Sequence, residues 1–230
     1  MFKPVKPIGA RATPREIPLP ERTRERLLNA AGEVFAERGF RRSTVREICR
    51  RARVNIASVN YYFKGKEDLY ADVLEFAYRQ ARQKYPESDP SGQADTPQIR
   101  LSRFIRILLM RILDDGRPAW FGKLMAREIV EPTGALDRVI ERAILPLHRS
   151  LGVLVREIVG TRPGETEIRR HIFSILGQCL FYRHARPVIA RLYPDVRYDA
   201  AEIERTARHI AISALSAMKR PTGGKRGSFR

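Results

Sequence analysis

The chain has 230 residues, of which 43% are hydrophobic, so it can bury the core of one larger or two small domains. Its formal net charge of +18 indicates an acidic polymer as partner, and residues 1–66, with 16 Lys and Arg against 6 Asp and Glu, carry +10 of that charge. The two cysteines, Cys49 and Cys179, exclude a disulfide framework and a cysteine-rich metal site, and we expect both to be packing residues in a reducing cytoplasm.

The first 21 residues contain five prolines among Lys and Arg and no apolar run. This composition predicts a basic flexible arm over 1–21 rather than a helix or a signal peptide. The arm either tracks DNA or is an inert leader, and the same two interpretations apply to a basic tail over 219–230.

The first predicted helix begins with Thr23 as N-cap and ends near Arg38, because Gly39 follows as a helix terminator. Its apolar side chains recur at the spacing of one face of an amphipathic helix. These side chains are Leu27, Ala31, Val34 and Phe35.

The second predicted helix begins at Thr44 and runs to about Ala52. Thr44 and Glu47 fit a capping box, in which the Thr hydroxyl accepts from the Glu amide and the Glu side chain reaches back to the Thr amide. A helix this short is unstable alone, so Val45 and Ile48 are expected to dock on the first helix.

The third predicted helix begins after Asn55, a second N-cap, and presents Val59 and Phe63 to the core. No carboxylate occurs between residues 55 and 66, as expected of a surface that meets phosphate. By their spacing, Tyr62 is expected in the core and Tyr61 on DNA. We interpret residues 22–69 as a helix-turn-helix DNA-binding domain.

Residues 44–48 and 54–69 resemble the tetracycline-repressor (TetR) family of bacterial transcription regulators. The resemblance implies that Thr44 and Lys66 grip phosphates, that Arg46 reaches a base edge, and that the third helix lines the groove. The full predicted DNA-binding set is Thr44, Arg46, Asn55, Ile56, Ala57, Ser58, Asn60, Tyr61, Tyr62, Lys64 and Lys66.

Helical periodicity continues to the end of the chain. Lys66 opens a fourth helix that runs to about Lys84, and a Pro- and Ser-rich loop over 86–97 follows. Five further helices are predicted over 99–113, 120–130, 136–159, 166–188 and 203–218. Pro146 is expected to kink the longest of them near 142–146. The predicted fold is therefore all-α with about nine helices, and residues 70–218 form a second, effector-binding and dimerisation domain.

The second domain also resembles the CecR-type group, through residues 131–132, 146–148 and 177–187. In TetR-like proteins the last two helices form the dimer and the middle helices enclose an effector pocket. The predicted dimer residues are Ser174, Gly177, Gln178, Phe181, Ala211, Ala214 and Ala217. Small residues at these spacings allow helices to approach closely, and intrachain packing is the alternative explanation for them.

The candidate effector pocket combines apolar and polar side chains from the middle and late helices. Its predicted members are Met110, Trp120, Phe121, Met125 and His148, with Glu128 and Arg183 as polar anchors. A buried core uses the same residue types at the same spacing, so ordinary core packing is the alternative for each of them.

These features predict a cytoplasmic, homodimeric, ligand-responsive repressor that binds double-stranded operator DNA and an unidentified small-molecule effector. No cofactor, metal or membrane partner is expected. An enzyme is the competing class, but no His-x-x-x-His, Cys-x-x-Cys, nucleophile-elbow or Gly-rich phosphate motif occurs. A sequence-blind architectural DNA binder is the third interpretation, and it gives the long helical domain no purpose.

Overall fold

The computed structural model describes residues 19–86, 95–114, 120–161 and 164–219, which form α-helices and one π-helical turn without a strand. The helices are α1 (Leu19–Arg42), α2 (Val45–Ala52), α3 (Ile56–Tyr62), α4 (Lys66–Lys84), α5 (Pro97–Leu113), α6 (Trp120–Val130), α7 (Leu136–Val139), α8 (Leu145–Val159), α9 (Glu165–His184), α10 (Arg186–Leu192) and α11 (Ala200–Lys219). The all-α prediction is confirmed. In the described parts of the chain, no helix is both long and apolar enough to span a bilayer.

Several predicted segments lie outside the described residues. The basic arm and the basic tail fall there except for residues 19–21 and 219, which are helical. Most of the 86–97 loop falls there as well.

The predicted number of helices, about nine, becomes eleven in the described residues because two predicted helices are divided. The kink expected near Pro146 is a π-helical turn at Ile140–Ile144, and Pro146 lies in the first turn of α8, directly after it. The helix predicted over 166–188 ends at His184, because Pro187 lies in the first turn of a new helix, α10.

Helix α1 begins at Leu19, so the prediction that Thr23 caps it is wrong: Thr23 lies inside the helix. The predicted terminator is in place. Gly39 has φ of +76°, a conformation that L side chains rarely adopt, and it interrupts the regular helix after Arg38.

Two hydrophobic cores organise the helices. The first core joins α1–α4 to α6, α7 and the π-helical turn, and it includes Phe35, Val59, Leu69 and Trp120. The second core joins α5, α8, α9 and α11. Phe121 packs against both. The helices predicted to read DNA, α2 and α3, therefore share a core with α6, a helix of the predicted second domain.

Both cysteines are buried packing residues, as predicted: Cys49 lies in the first core and Cys179 in the second. Burial raises the pKa of the Cys179 thiol to about 12. A thiol with so high a pKa is an unreactive core residue.

Candidate nucleic-acid interface

Helix α2 is set in place by its N-cap and by one buried face. The Glu47 amide donates to Thr44 Oγ1 at 3.2 Å, which confirms the first half of the predicted capping box. The Glu47 carboxylate lies 3.0 Å from Arg38 Nη2 on α1. Because Ile48 is buried against α1, the opposite side of α2 carries Arg46 to the surface.

The turn between α2 and α3 is held by an arginine that the sequence reasoning missed. Arg53 adopts the left-handed conformation, with φ of +54°, and ends α2. Arg26 of α1 donates from Nη2 to the carbonyl oxygens of Ala52 at 2.6 Å and of Arg53 at 3.0 Å. The positive charge of Arg26 interacts favourably with the negative, C-terminal end of the α2 dipole. Its two hydrogen bonds also fix the direction in which the chain leaves α2 toward α3.

Helix α3 carries the most exposed aromatic surface of this region. Its cap forms as predicted, with the Ala57 amide donating to Asn55 Oδ1 at 2.9 Å. Val59 is fully buried, whereas the side chain of Tyr61 is 80% exposed. Tyr62 is half-buried: it packs against the first core, and its ring meets that of Tyr61 edge-on at 4.8 Å. Tyr61 thus projects from α3 on a rigid support.

The start of α4 offers a second cationic edge. Gly65 precedes the helix without a side-chain cap, so the first amides of α4 have no side-chain acceptor there. Lys66 Nζ lies 4.5 Å from the centre of the Phe40 ring and 3.5 Å from the Arg41 carbonyl oxygen. Burial lowers the pKa of Lys66 below its usual value. These contacts hold the ammonium group in one place.

The ion pairs between α1 and α2 lie on one flank of this region. The carboxylate of Glu37 is paired at 2.9 and 3.0 Å with Arg51, on the flank where α1 meets α2, and this hydrogen bonding lowers the pKa of Glu37. Among the described residues, no carboxylate lies within ion-pair distance of Arg46 or Lys64, and both are exposed. The surface around α3 therefore carries two exposed cations, Arg46 and Lys64, that no carboxylate of the described residues neutralises.

All the predicted DNA-binding residues lie on α2, α3, their N-caps, the turn between α3 and α4, and the start of α4, and all retain exposed surface. The exposed ones are Thr44, Arg46, Asn55, Ile56, Ala57, Asn60, Tyr61 and Lys64, and the half-buried ones are Ser58, Tyr62 and Lys66. Their contacts with DNA stay predictions. Arg26 could not be found from local patterns, because 26 residues separate it from the carbonyl that it caps.

The predicted pocket residues lie in or against both hydrophobic cores, and their role in binding an effector stays a prediction. Trp120 and Met125 lie in the first core, Met110 packs on the second, and Phe121 touches both. His148 is half-buried on α8, with its ring 6.4 Å from that of Phe173, and Arg183 lies on α9. A cavity of about 540 Å³ lies elsewhere, between the end of α1, the start of α4 and the 132–135 loop.

Glu128, predicted as a polar anchor of the pocket, is fully buried and has both oxygens engaged within the chain. The Tyr70 hydroxyl donates to Oε2 at 3.0 Å. The Thr133 amide and hydroxyl donate to Oε1 at 2.8 and 3.0 Å. Glu128 therefore ties α6 to α4 and to the 132–135 loop.

The predicted dimer residues separate into two sets. Ser174, Gly177, Phe181 and Ala217 are exposed and Gln178 is half-buried. Ala211 and Ala214 are only 3% and 5% exposed and lie in the second core, so we correct the prediction for these two: they serve the intrachain packing of α11. The outer face of α9 nevertheless carries an exposed apolar row, with Phe173 62% and Phe181 59% exposed.

Comparison with known proteins assigns both parts of the chain. Residues 97–218 match the family described as "HTH-type transcriptional dual regulator CecR, C-terminal domain", and residues 27–73 match "Bacterial regulatory proteins, tetR family". The HTH-type transcriptional dual regulator CecR of Shigella flexneri is 30% identical over 178 residues, which cover 74% of this chain and 79% of that protein.

Two further proteins agree with this assignment. The HTH-type transcriptional repressor NicS of Pseudomonas putida is 38% identical over 133 residues, covering 53% of this chain and 63% of NicS. The crystal structure of a transcriptional regulator from Rhodococcus sp. Rha1 superposes with a TM-score of 0.62 at 22% identity, covering 86% of this chain and 99% of that one. The latter shares the fold.

Proposed function

The chain belongs to the tetR family of bacterial regulatory proteins and to its CecR-type group, and from this premise we propose that it is a homodimeric, effector-responsive repressor that reads a two-fold symmetric operator with one α3 per half-site. Members of this family are DNA-binding transcription regulators rather than enzymes. We place its action in the cytoplasm, where bacterial DNA lies.

The observation that carries the proposal is the α2–turn–α3 unit. Both of its helices have side-chain N-caps, its turn is braced by Arg26, and the cation Arg46 is exposed on it. A rigid backbone reduces the conformational entropy that is lost when side chains are ordered at base edges on binding. Arg46 from α2 and Tyr61 from α3 are the proposed base-reading side chains, and Thr44 and Lys66 are the proposed phosphate contacts.

The apolar row on α9 supports the dimer. Phe173 and Phe181 are large and exposed, and Gly177 between them has open space above it, where a partner helix can approach closely. A two-fold symmetric dimer places the same row of each subunit face to face. The two DNA-reading units are then held at a set separation, as two-fold operators require.

The position of α6 supports effector control. Its residues Trp120, Leu124 and Met125 lie in the first core with the DNA-reading helices, whereas the neighbouring Phe121 also contacts the second core. We propose that an effector binding beside Phe121 moves α6 and, with it, α4. A tenfold loss of operator affinity requires the effector to prefer the DNA-free dimer tenfold, a coupling of about 1.4 kcal/mol.

Selection of duplexes from a random pool tests the DNA-reading proposal. We expect two inverted half-sites whose centres lie about one helical turn apart, roughly 34–36 Å, or in a wider paired arrangement. Arg46→Ala should cost about 1–3 kcal/mol on the selected site and relax one base position per half-site. Equal weakening on every duplex would make Arg46 a phosphate contact instead.

A screen of apolar and amphipathic small molecules by thermal shift tests effector control. Each compound that stabilises the protein is then titrated against the operator complex. Release of the operator by at least one such compound is the expected result. If every stabilising compound leaves operator affinity unchanged, effector control is wrong while DNA reading stands.

Dual regulation is a second candidate, favoured by the name of the Shigella flexneri relative, a dual regulator. In vitro transcription with the selected operator placed inside or upstream of a promoter distinguishes dual regulation from pure repression. A pure repressor lowers the amount of transcript or leaves it unchanged on every template, whereas a dual regulator raises it on at least one.

A further inference from the structure

We propose that Asp72 of α4 is a positioning residue that sets the separation of the two recognition helices in the operator-bound dimer. The inference rests on the proposed function, because a separation exists only if two subunits read one operator. Asp72 sets this separation through an ion-pair network that joins α4 to both α1 and α7.

Asp72 divides its two carboxylate oxygens between two elements of the fold. Oδ2 lies 2.6 Å from Arg24 Nη2 on α1, and Oδ1 lies 2.9 Å from Arg138 Nη2 on α7. One turn further along α4, Glu75 Oε1 lies 3.3 Å from Arg138 Nη2 and 3.6 Å from Arg142 Nε on the π-helical turn. The hydrogen bond that Arg138 donates to Asp72 raises the pKa of Arg138 above its usual value. The two acids thus connect four segments through three arginines.

The network lies close to the end of α4 that is nearest the recognition helix. Helix α4 has 19 residues and, at about 1.5 Å per residue, is about 28 Å long. Lys66 begins it beside the recognition helix, and Asp72 lies less than two turns away. A change in the angle at which Asp72 holds α4 against α7 therefore moves Lys66 and α3 together.

The network is suited to setting an orientation rather than to holding the fold together. Its side chains are partly exposed, and exposed ion pairs contribute about 0–1 kcal/mol each. The buried contacts of the first core, among them Phe35, Leu69 and Trp120, supply the stability. Apolar contacts are non-directional, whereas a carboxylate bonded through each oxygen to a different helix fixes an angle.

The π-helical turn links this network to the second core. It lies between Arg138 and α8, and Leu151 and Val155 of α8 are buried in the second core. In this turn the Leu145 amide donates to the Ile140 carbonyl five residues back. Single π turns occur frequently at functional sites.

The test compares Asp72→Asn with a matched control, Glu165→Gln. The control removes a surface ion pair, Arg156 to Glu165 at 2.8 Å, that joins α8 to α9 and does not reach α4. Each protein is titrated with the selected operator, with operators whose spacer is changed by one or two base pairs, and with a duplex carrying a single half-site. Melting temperatures are measured in parallel.

Wild type and Glu165→Gln should prefer the selected spacer strongly. Asp72→Asn should reduce that preference by about fivefold or more, while its half-site affinity and melting temperature stay close to those of the control. An unchanged spacer profile overturns the proposal, and so does a loss of half-site affinity that accompanies a lower melting temperature, since that result indicates a structural role. If the wild-type protein shows no spacer preference, the proposed function itself, a dimer that reads two half-sites of one operator, is wrong.

Salt gives an independent readout on the wild-type protein. Operators that differ only in their spacer carry the same phosphate contacts, so the ratio of their affinities cancels counterion release. Exposed ion pairs are screened by salt. In wild type, the ratio of affinities for the preferred and altered spacers should therefore decrease as the salt concentration rises. In Asp72→Asn, this ratio should not change with salt. A wild-type ratio that does not change with salt contradicts the role of the ion pairs.

Discussion

Trp120 of α6 lies directly on the backbone of Gly32 in α1. A Cβ added at Gly32 would lie 2.2 Å from Trp120 Cε3, far inside van der Waals contact. Gly32 is buried one turn before Phe35, in the middle of the first core. Because Gly32 has no side chain, the Trp120 ring packs against the backbone of α1. This contact joins the DNA-reading part of the chain to α6 in the second part.

Gly32→Ala should therefore destabilise the protein, although alanine is the better helix former. The methyl group displaces the indole, and overpacking of this kind costs about 1–3 kcal/mol. Urea denaturation measures the loss. Gly134→Ala is the control, because a Cβ there has nothing within 4 Å. Trp120→Phe should relieve part of the Gly32→Ala defect, and a purely additive double variant would contradict the contact.

Tyr70→Phe should change how stability depends on alkaline pH. Burial, together with the charge of Glu128, raises the pKa of Tyr70 well above its usual value near 10. Above about pH 10 the unfolded chain loses this proton and the folded protein keeps it, so the free energy of unfolding falls as pH rises.

In Tyr70→Phe, the free energy of unfolding should lose the part of its pH dependence that comes from Tyr70. At pH 7 the variant should also be less stable by about 1–3 kcal/mol, because Glu128 Oε2 loses the hydroxyl that donates to it at 3.0 Å. Urea denaturation at pH 7–11 checks both effects, with Tyr61→Phe, 80% exposed, as control. Identical slopes for wild type and Tyr70→Phe would remove Tyr70 from the alkaline transition.

Lys66→Ala should flatten the salt dependence of operator binding. Each phosphate contact contributes a slope of about −0.9 to log affinity against log salt. The variant should lose roughly one contact and keep the preferred sequence. Lys84→Ala, at the far end of α4 and paired at 2.5 Å with Asp114, is the control and should keep the wild-type slope. A wild-type slope in Lys66→Ala would exclude Lys66 from the phosphate set.

Gly177→Arg should convert the dimer to monomer with full helicity. Nothing lies within 4 Å of a Cβ at Gly177 in the single chain, so the substitution disturbs only a partner subunit. A large cation in a close helix contact removes the fit and buries charge. Light scattering and circular dichroism check this, with Gly134→Arg as control. A Gly177→Arg dimer would move the interface away from this face of α9.

Local signals in the sequence predicted the DNA-reading unit well. The caps at Thr44 and Asn55 and the terminator at Gly39 depend on residues within a few positions of one another, so the sequence carries them directly. The brace from Arg26 to Ala52 depends on tertiary packing, and no local pattern encodes it.

The second part was predicted less completely, for a physical reason. Trp120 and Met125 suggested a cavity, but a cavity and a core require the same apolar spacing, and both residues pack in the first core. Ala211 and Ala214 suggested a dimer face, but small residues also allow close packing within one chain, and α11 uses them there. Periodicity identifies the buried face of a helix and leaves open what covers it.

The most direct test of the account is the ratio of two affinities of the wild-type protein at physiological salt. One is its affinity for the operator selected from the random pool, and the other is its affinity for a scrambled duplex of the same length and composition. Sequence-specific reading by α2 and α3 predicts a ratio of about 10³ or more. A ratio near one would mean that the exposed cations around α3 bind DNA without reading it, and the account of this protein as an operator-specific regulator would be wrong.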